Sequence, residues 1–322
     1  MPQRTDHAAM PSVASSLVAR IVFKDARVRP VIRAVLYMAA AFASVAAVDS
    51  FSTAVFFGHA NHSLSTTPAS LLVERGSAAL AIVALALFFR RYVDARPIAS
   101  LGFSFRAPWL RLTLLGAALG AGMQAVILTL DRALGYARPP VAIHLQSFER
   151  AALFFIAFFC LSAIAEEMPI RGYVLQNLWE EWGFGPAVAV TAILFAAVHF
   201  GNPHVRVQFA LTAAGLIAYG IWTALSLYWT KSLWVAFGSH AAWNFFEGPV
   251  FGFPVSGVSF GKVLLSQSVA GPSWFTGGAF GPEAGASGLI AMAAGFIALY
   301  GCYRAKVFAA APDEREAYAK RR

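Results

Sequence analysis

Residues 151–171 read AALFFIAFFCLSAIAEEMPIR. The stretch 151–165 carries no charge, and then Glu166 and Glu167 arrive side by side, followed by Pro169 and Arg171. The apolar run predicts a helix that crosses a membrane. An ionised side chain deep in a bilayer costs on the order of 2.5–3.5 kcal/mol on insertion scales. A chain keeps two of them at the end of such a run when they pair or do chemistry.

The rest of the chain agrees with a membrane setting. Of 322 residues, 58% are hydrophobic and 13% charged, with a mean hydropathy of +0.62. A soluble domain carries roughly 25% charged residues. No polar segment is long enough to be a soluble domain, so the fold class is all-α, a polytopic transmembrane helix bundle. Eight spans are expected, at 34–57, 71–89, 109–130, 151–175, 186–200, 207–229, 232–247 and 285–303. The organisation is a basic N-terminal tail (1–33), a bundle (34–303) with its functional core at about 148–250, and a basic C-terminal tail (304–322).

The net charge of +9 reads as topology rather than as a nucleic-acid surface. With the N-terminus in the cytoplasm, only Arg75, Arg132, Arg138, Arg150, Arg206 and Lys262 of the 25 basic residues fall outside cytoplasmic stretches. That bias favours both termini inside. Arg outnumbers Lys 20 to 5, a composition of GC-rich bacterial genomes, which points to an inner (plasma) membrane. Val13–Phe23 is interrupted by Arg20, so the first 33 residues do not read as a cleaved signal peptide; a disordered tail is favoured over a surface-lying amphipathic helix. Cys160 and Cys302 both fall in expected spans and read as small buried hydrophobes.

Three further segments stand out. Residues 90–108 are basic, with Phe103, Phe105 and then Trp109 nearby, as an interfacial segment would be. Gly116 and Gly120 form a small-xxx-small pair that lets helices approach closely. The Gly-, Pro- and Ser-rich stretch 248–284 is too broken to span and reads as a re-entrant or ordered loop.

Catalytic-type side chains sit at three places in apolar helices: Glu166, Glu167 and Arg171; His199, one turn after Phe195; and His240 with Asn244. Glu167 and Arg171 are spaced i,i+4 with the acid first, the better orientation for a helical ion pair. That pairing leaves Glu166 unpaired on a neighbouring face, suited to act as a general base. Pro169 removes one helical hydrogen bond and is expected to kink the helix there. His240 and Asn244 share a face, as two donors for a developing oxyanion would. Helix rise places Glu166, His199 and His240 at roughly 18, 20 and 12 Å from one membrane face, a similar level within the boundary error. Each residue alone has a structural explanation, as packed histidine, interhelical glue or tie. Their convergence favours a site. His59, His62, His144 and His204 fall in loops or at span ends.

These residues, in this order, resemble the CPBP intramembrane proteases, the family of CAAX prenyl endopeptidases and of bacteriocin-processing and self-immunity enzymes. The family pattern EExxxR, FxxxH, HxxxN is met by Glu166, Glu167 and Arg171; by Phe195 and His199; and by His240 and Asn244. Gly172 extends the first motif, and the resemblance covers about 148–250. The stretch Trp243–Gly257 followed by residues 276–283 (TGGAFGPE) also resembles a bacterial subgroup of the family. The resemblance implies hydrolysis of a peptide bond in a membrane-associated protein or peptide. Glu166 would activate a water, His199 would hold it, and His240 with Asn244 would form the oxyanion hole. It also leaves metal open: Glu166, His199 and His240 would make a zinc ligand set. HExxH is absent, and a zinc-bound Glu166 could not serve as free base, so the balance tips to a metal-independent glutamate peptidase. A non-catalytic scaffold or immunity protein that retains the site, and a proton-coupled transporter, are the competing classes.

Overall fold

The computed structural model describes residues 22–24, 27–52, 68–105, 108–138, 142–261 and 263–308. Apolar runs rich in Ala, Leu and Phe fold as helices because hydrocarbon offers no partner for an unpaired backbone group. Among the described residues, nine α-helices of eight or more residues carry the bundle: α1 Pro30–Ser52, α2 Pro68–Phe88, α3 Trp109–Ala133, α4 Leu145–Glu167, α5 Leu175–Trp182, α6 Phe184–Val198, α7 Phe209–Thr230, α8 Trp234–Phe245 and α9 Ala286–Arg304. Two antiparallel pairs of two-residue strands accompany them, Phe23–Lys24 with Arg27–Val28 and Ala142–Ile143 with Leu265–Ser266.

Six helical segments among the described residues are long and apolar enough to cross a membrane. The protein is an integral membrane protein. The expectation of eight spans is corrected in one respect. Each expected span is a helix, but α6 has 15 residues and α8 only 12, short of the ~20 that a bilayer needs. α8 is enclosed by the other helices, with Val235, Ala236, Ser239 and His240 all buried.

Glycine explains how α8 gets so deep. A Cβ at Gly116 or Gly120 of α3 would lie 2.2 Å from the Val235 carbonyl oxygen or 2.3 Å from that of Ser239. The fit is reciprocal, since a Cβ at Gly238 would lie 2.1 Å from the Thr113 oxygen. Small residues let these backbones touch, as van der Waals packing in lipid requires. The Gly116/Gly120 pair thus seats the helix that carries His240 and Asn244.

The fourth span is one continuous helix over Phe148–Trp182. Pro169 does not interrupt it. The turn Met168–Val174 widens to π-helical geometry instead, and the Leu175 N–H reaches the Ile170 carbonyl. One extra residue per turn accommodates a proline that cannot donate.

The described residues of the segment 248–284 form an ordered loop. Its backbone is stitched to the end of α3 and the link into α4, through Arg138 N–H to the Ser268 oxygen (3.0 Å), Ala270 N–H to the Tyr136 oxygen (2.8 Å) and His144 N–H to the Leu264 oxygen (3.0 Å). Phe260 packs on Phe155, Phe158 and Phe159 of α4.

The basic segment after α2 is also more than an interfacial loop. Arg90 is fully buried. With Arg33 it grips Asp94, at 3.0 and 2.8 Å, and the Tyr173 hydroxyl donates to the same carboxylate at 3.0 Å. Cys160 and Cys302 are both free and only partly buried, a correction to their reading as fully buried. Residues 1–21 and 309–322 of the expected tails lie outside the described residues, as do His59, His62, Arg106 and Lys262.

Candidate active site

The three sequence motifs come from three helices and meet at one point. Glu166 and Glu167 occupy the last turn of α4, His199 directly follows α6, and His240 and Asn244 lie on α8. Glu166 Oε2 is 3.5 Å from His199 Nε2 and 3.7 Å from His240 Nε2. The expectation that Glu166 stands unpaired is therefore corrected: it faces two imidazoles. Its side chain keeps 32% exposure, whereas that of Glu167 has none.

Each ring is oriented from behind. His199 Nδ1 is 2.7 Å from the Phe195 carbonyl oxygen. A carbonyl only accepts, so Nδ1 carries the proton. His240 Nδ1 is 2.8 Å from Glu167 Oε1; an ionised carboxylate fixes the same tautomer. Both rings thus turn Nε2 toward Glu166. Arg171 pairs with Glu167 at 3.4 Å, as the i,i+4 spacing predicts. Its guanidinium also lies 4.1 Å from the centroid of the Phe195 ring. Phe195 itself packs on His199, with ring centroids 4.7 Å apart. The motif phenylalanine is thus a spacer: its carbonyl holds one histidine and its face holds the arginine.

These groups line a cavity of about 480 Å³, within the usual range for ligand pockets. Glu166, His199, Asn202, His240, Asn244 and Glu283 form its polar part; Phe158, Phe159, Leu216, Trp243, Val255, Phe260 and Met292 form much of its apolar wall. Glu167 and Arg171 are buried behind it.

A tetrahedral zinc site needs three protein donors at about 2.0–2.2 Å from one point. Glu166, His199 and His240 have suitable donor chemistry. Among the described residues, however, no three His, Cys, Asp or Glu side chains are grouped so as to hold a metal ion. The zinc reading of this trio is not supported, and no step below passes through a metal.

Comparison with known proteins bears on the same segment. The family model described as "Type II CAAX prenyl endopeptidase Rce1-like" matches residues 148–246. The resemblance to the CAAX-type membrane proteases holds. The matched residues run from the start of the α4 span to the end of α8, and so contain every motif residue. No curated protein and no solved structure matches the chain.

Sequence reasoning missed Tyr219, Glu247 and Glu283. Tyr219 of α7 stands edge-on to His240, with ring centroids 5.4 Å apart. Nothing in its local spacing signals that. Glu247 follows Asn244 by one turn and is fully buried beside the Trp243 side chain. Glu283 sits in the 3₁₀ turn Pro282–Ala284 and accepts a 2.6 Å hydrogen bond from the Ser256 hydroxyl. Burial pushes its carboxyl above the usual carboxylate range, against the opposing pull of Ser256, His199 and His240. An isolated Glu in a charge-poor stretch was the available signal.

Proposed function

We propose that the protein is an intramembrane endopeptidase that cleaves a peptide bond in a membrane-associated protein or peptide. The single observation that carries this reading is the approach of Glu166 Oε2 to both imidazole Nε2 atoms, at 3.5 and 3.7 Å, on the wall of a cavity. A water in that cleft donates one hydrogen to the carboxylate and the other to an imidazole. Its lone pair then points into the cavity, where the scissile carbonyl docks. Glu166 takes the proton as the C–O bond forms; a positioned general base contributes about 10²–10⁴-fold.

The oxyanion falls to Asn244, whose amide faces the cavity, and to His240 when its Nε2 is protonated. Preorganised donors of this kind are worth about 10²–10³-fold each. Glu167 and Arg171 act one layer back, by holding His240 and Phe195. The apolar wall suits a substrate that arrives from lipid with its side chains already desolvated. The match to an endopeptidase family over residues 148–246 supports the same reaction class.

The test is cleavage of a library of membrane-tethered peptides by purified protein in detergent, wild type against Glu166→Gln. Cleavage by wild type that is lost in the variant, with its thermal unfolding unchanged, is the expected result. A variant that cleaves as wild type does would overturn the assignment of the base.

A further inference from the structure

A peptidase that uses Glu166 alone must employ one carboxyl twice, first on the water and then on the departing nitrogen. The cavity offers a second carboxyl. Glu283 lines it together with Glu166, His199 and His240, and no Lys or Arg does so. Its position is set by backbone rather than by a flexible loop. A Cβ on Gly215 of α7 would stand 2.1 Å from the Glu283 carbonyl oxygen, and one on Gly288 of α9 would stand 2.1 Å from that of Pro282. The turn is clamped between two helices. One carboxylate oxygen is held by the Ser256 hydroxyl.

Glu247 crowds in behind. It is fully buried beside the Trp243 side chain, and its Oε1 lies 3.2 Å from where a Cβ on Gly281 would be. The charged or titratable groups that act on Glu283 are Glu247 at the end of α8, Glu166 on α4, His199 after α6 and His240 on α8. Like carboxyls in so dry a place cannot all ionise, so protons remain on some of them. Apart from Glu166, Glu283 is the one of these carboxyls that lines the cavity, and the burial that favours its protonated form outweighs the Ser256 hydroxyl that donates to it.

We propose that Glu283 is the general acid of this site, delivering its carboxyl proton to the leaving-group nitrogen while Glu166 works on the water. The proposal rests on the hydrolytic reading above. The balance is complete. Water gives one proton to Glu166 and its hydroxide to the carbonyl carbon. The oxyanion then re-forms the C=O bond, the C–N bond breaks, and the nitrogen takes the Glu283 proton. An acid and an amine leave. Transfer of the Glu166 proton to the Glu283 carboxylate restores the starting state.

Leaving-group chemistry tests this directly. The probes are the peptide selected from the library above and its analogue with a 4-nitrophenyl ester in place of the scissile amide. A 4-nitrophenolate departs without a proton; an amine does not. Wild type, Glu166→Gln and Glu283→Gln are compared, the last being an isostere of the protonated carboxyl that can still accept from Ser256. Glu283→Gln is expected to slow amide cleavage at least 100-fold while leaving ester cleavage within threefold of wild type, whereas Glu166→Gln loses both. If Glu283→Gln cleaves the amide at the wild-type rate, or loses amide and ester alike, Glu283 is not the acid. If instead Glu166→Gln keeps both activities, the assignment of Glu166 as the base fails; if wild type cleaves neither probe, it is the hydrolytic reading that fails.

Discussion

Two buried acid clusters in this protein use similar residue types to opposite ends. At Asp94, Arg33, Arg90 and the Tyr173 hydroxyl all lie within 3.0 Å of the two carboxylate oxygens. The Arg90 guanidinium also reaches Ser100 and Gln176. At Glu166 the nearest partners are two imidazoles at 3.5 and 3.7 Å, and the rest of the carboxylate faces a cavity. A carboxylate saturated by cations is a tie between helices. One held at the edge of hydrogen-bond reach, with room for a small molecule, is set up to react.

The largest expected effects break this contrast from both sides. Glu166→Gln should lower kcat by about 10²–10⁴-fold, the range for a general base, and leave thermal unfolding where it was. Asp94→Asn should do the reverse. It leaves Arg90 buried without its counter-ion and Arg33 with only Glu180, at 3.6 Å, a cost of about 3–5 kcal/mol. Thermal denaturation in detergent should show the loss, while the protein that stays folded cleaves at the wild-type rate per molecule. Equal effects of the two substitutions on activity and stability would erase the distinction.

Smaller effects sharpen it. Glu167 belongs to both kinds, since it pairs with Arg171 and also orients His240. Glu167→Gln removes a charge-assisted hydrogen bond worth about 1.5–3 kcal/mol. The expectation is a fall in kcat of roughly tenfold to a hundredfold with KM little changed, together with some loss of stability. Gly238→Ala probes the scaffold alone. Its new methyl would meet the Thr113 carbonyl, and overpacking typically costs about 1–3 kcal/mol. Unfolding temperature should drop. The folded fraction should keep its activity if α8 reseats as a rigid body.

Much of this was legible in the sequence. Uncharged runs of about 20 residues have few alternatives to helix in lipid, so the long spans were readable. The site was legible because its members lie in motifs with helical spacing, and because charge in an apolar run stands out. Other features were not. The stretches 186–200 and 232–247 read as spans although both were already short, because hydropathy does not record that a helix such as α8 is enclosed by protein rather than lipid. Pro169 signalled a kink, but whether a helix bends or widens to a π turn depends on packing around Met168–Val174. Arg33 and Arg90 read as positive-inside charge, since their partner Asp94 is 61 residues from one of them. Glu283 joins the cavity through a turn clamped by Gly215 and Gly288, and such long-range backbone contacts leave no local pattern.

The smallest expected effect is that of a chelator, and it bears on the same contrast. If the Glu166 cluster works with its own side chains, then removing divalent ions should leave the cleavage rate within error of the untreated protein. The ground for this is the arrangement of the donors. Each histidine has Nδ1 committed to a backbone or carboxylate oxygen, and Nε2 directed at a carboxylate 3.5 or 3.7 Å away. No set of three potential ligands among the described residues is grouped to hold an ion. Histidines held in this way can also serve a metal, because zinc ligands are commonly fixed through the second ring nitrogen. The discriminating result is therefore specific. Activity lost to a chelator and restored by added zinc, but not by magnesium, would turn Glu166 from base into ligand. The proton would then have to be taken by another carboxylate that faces the cavity, and among the described residues only Glu283 remains.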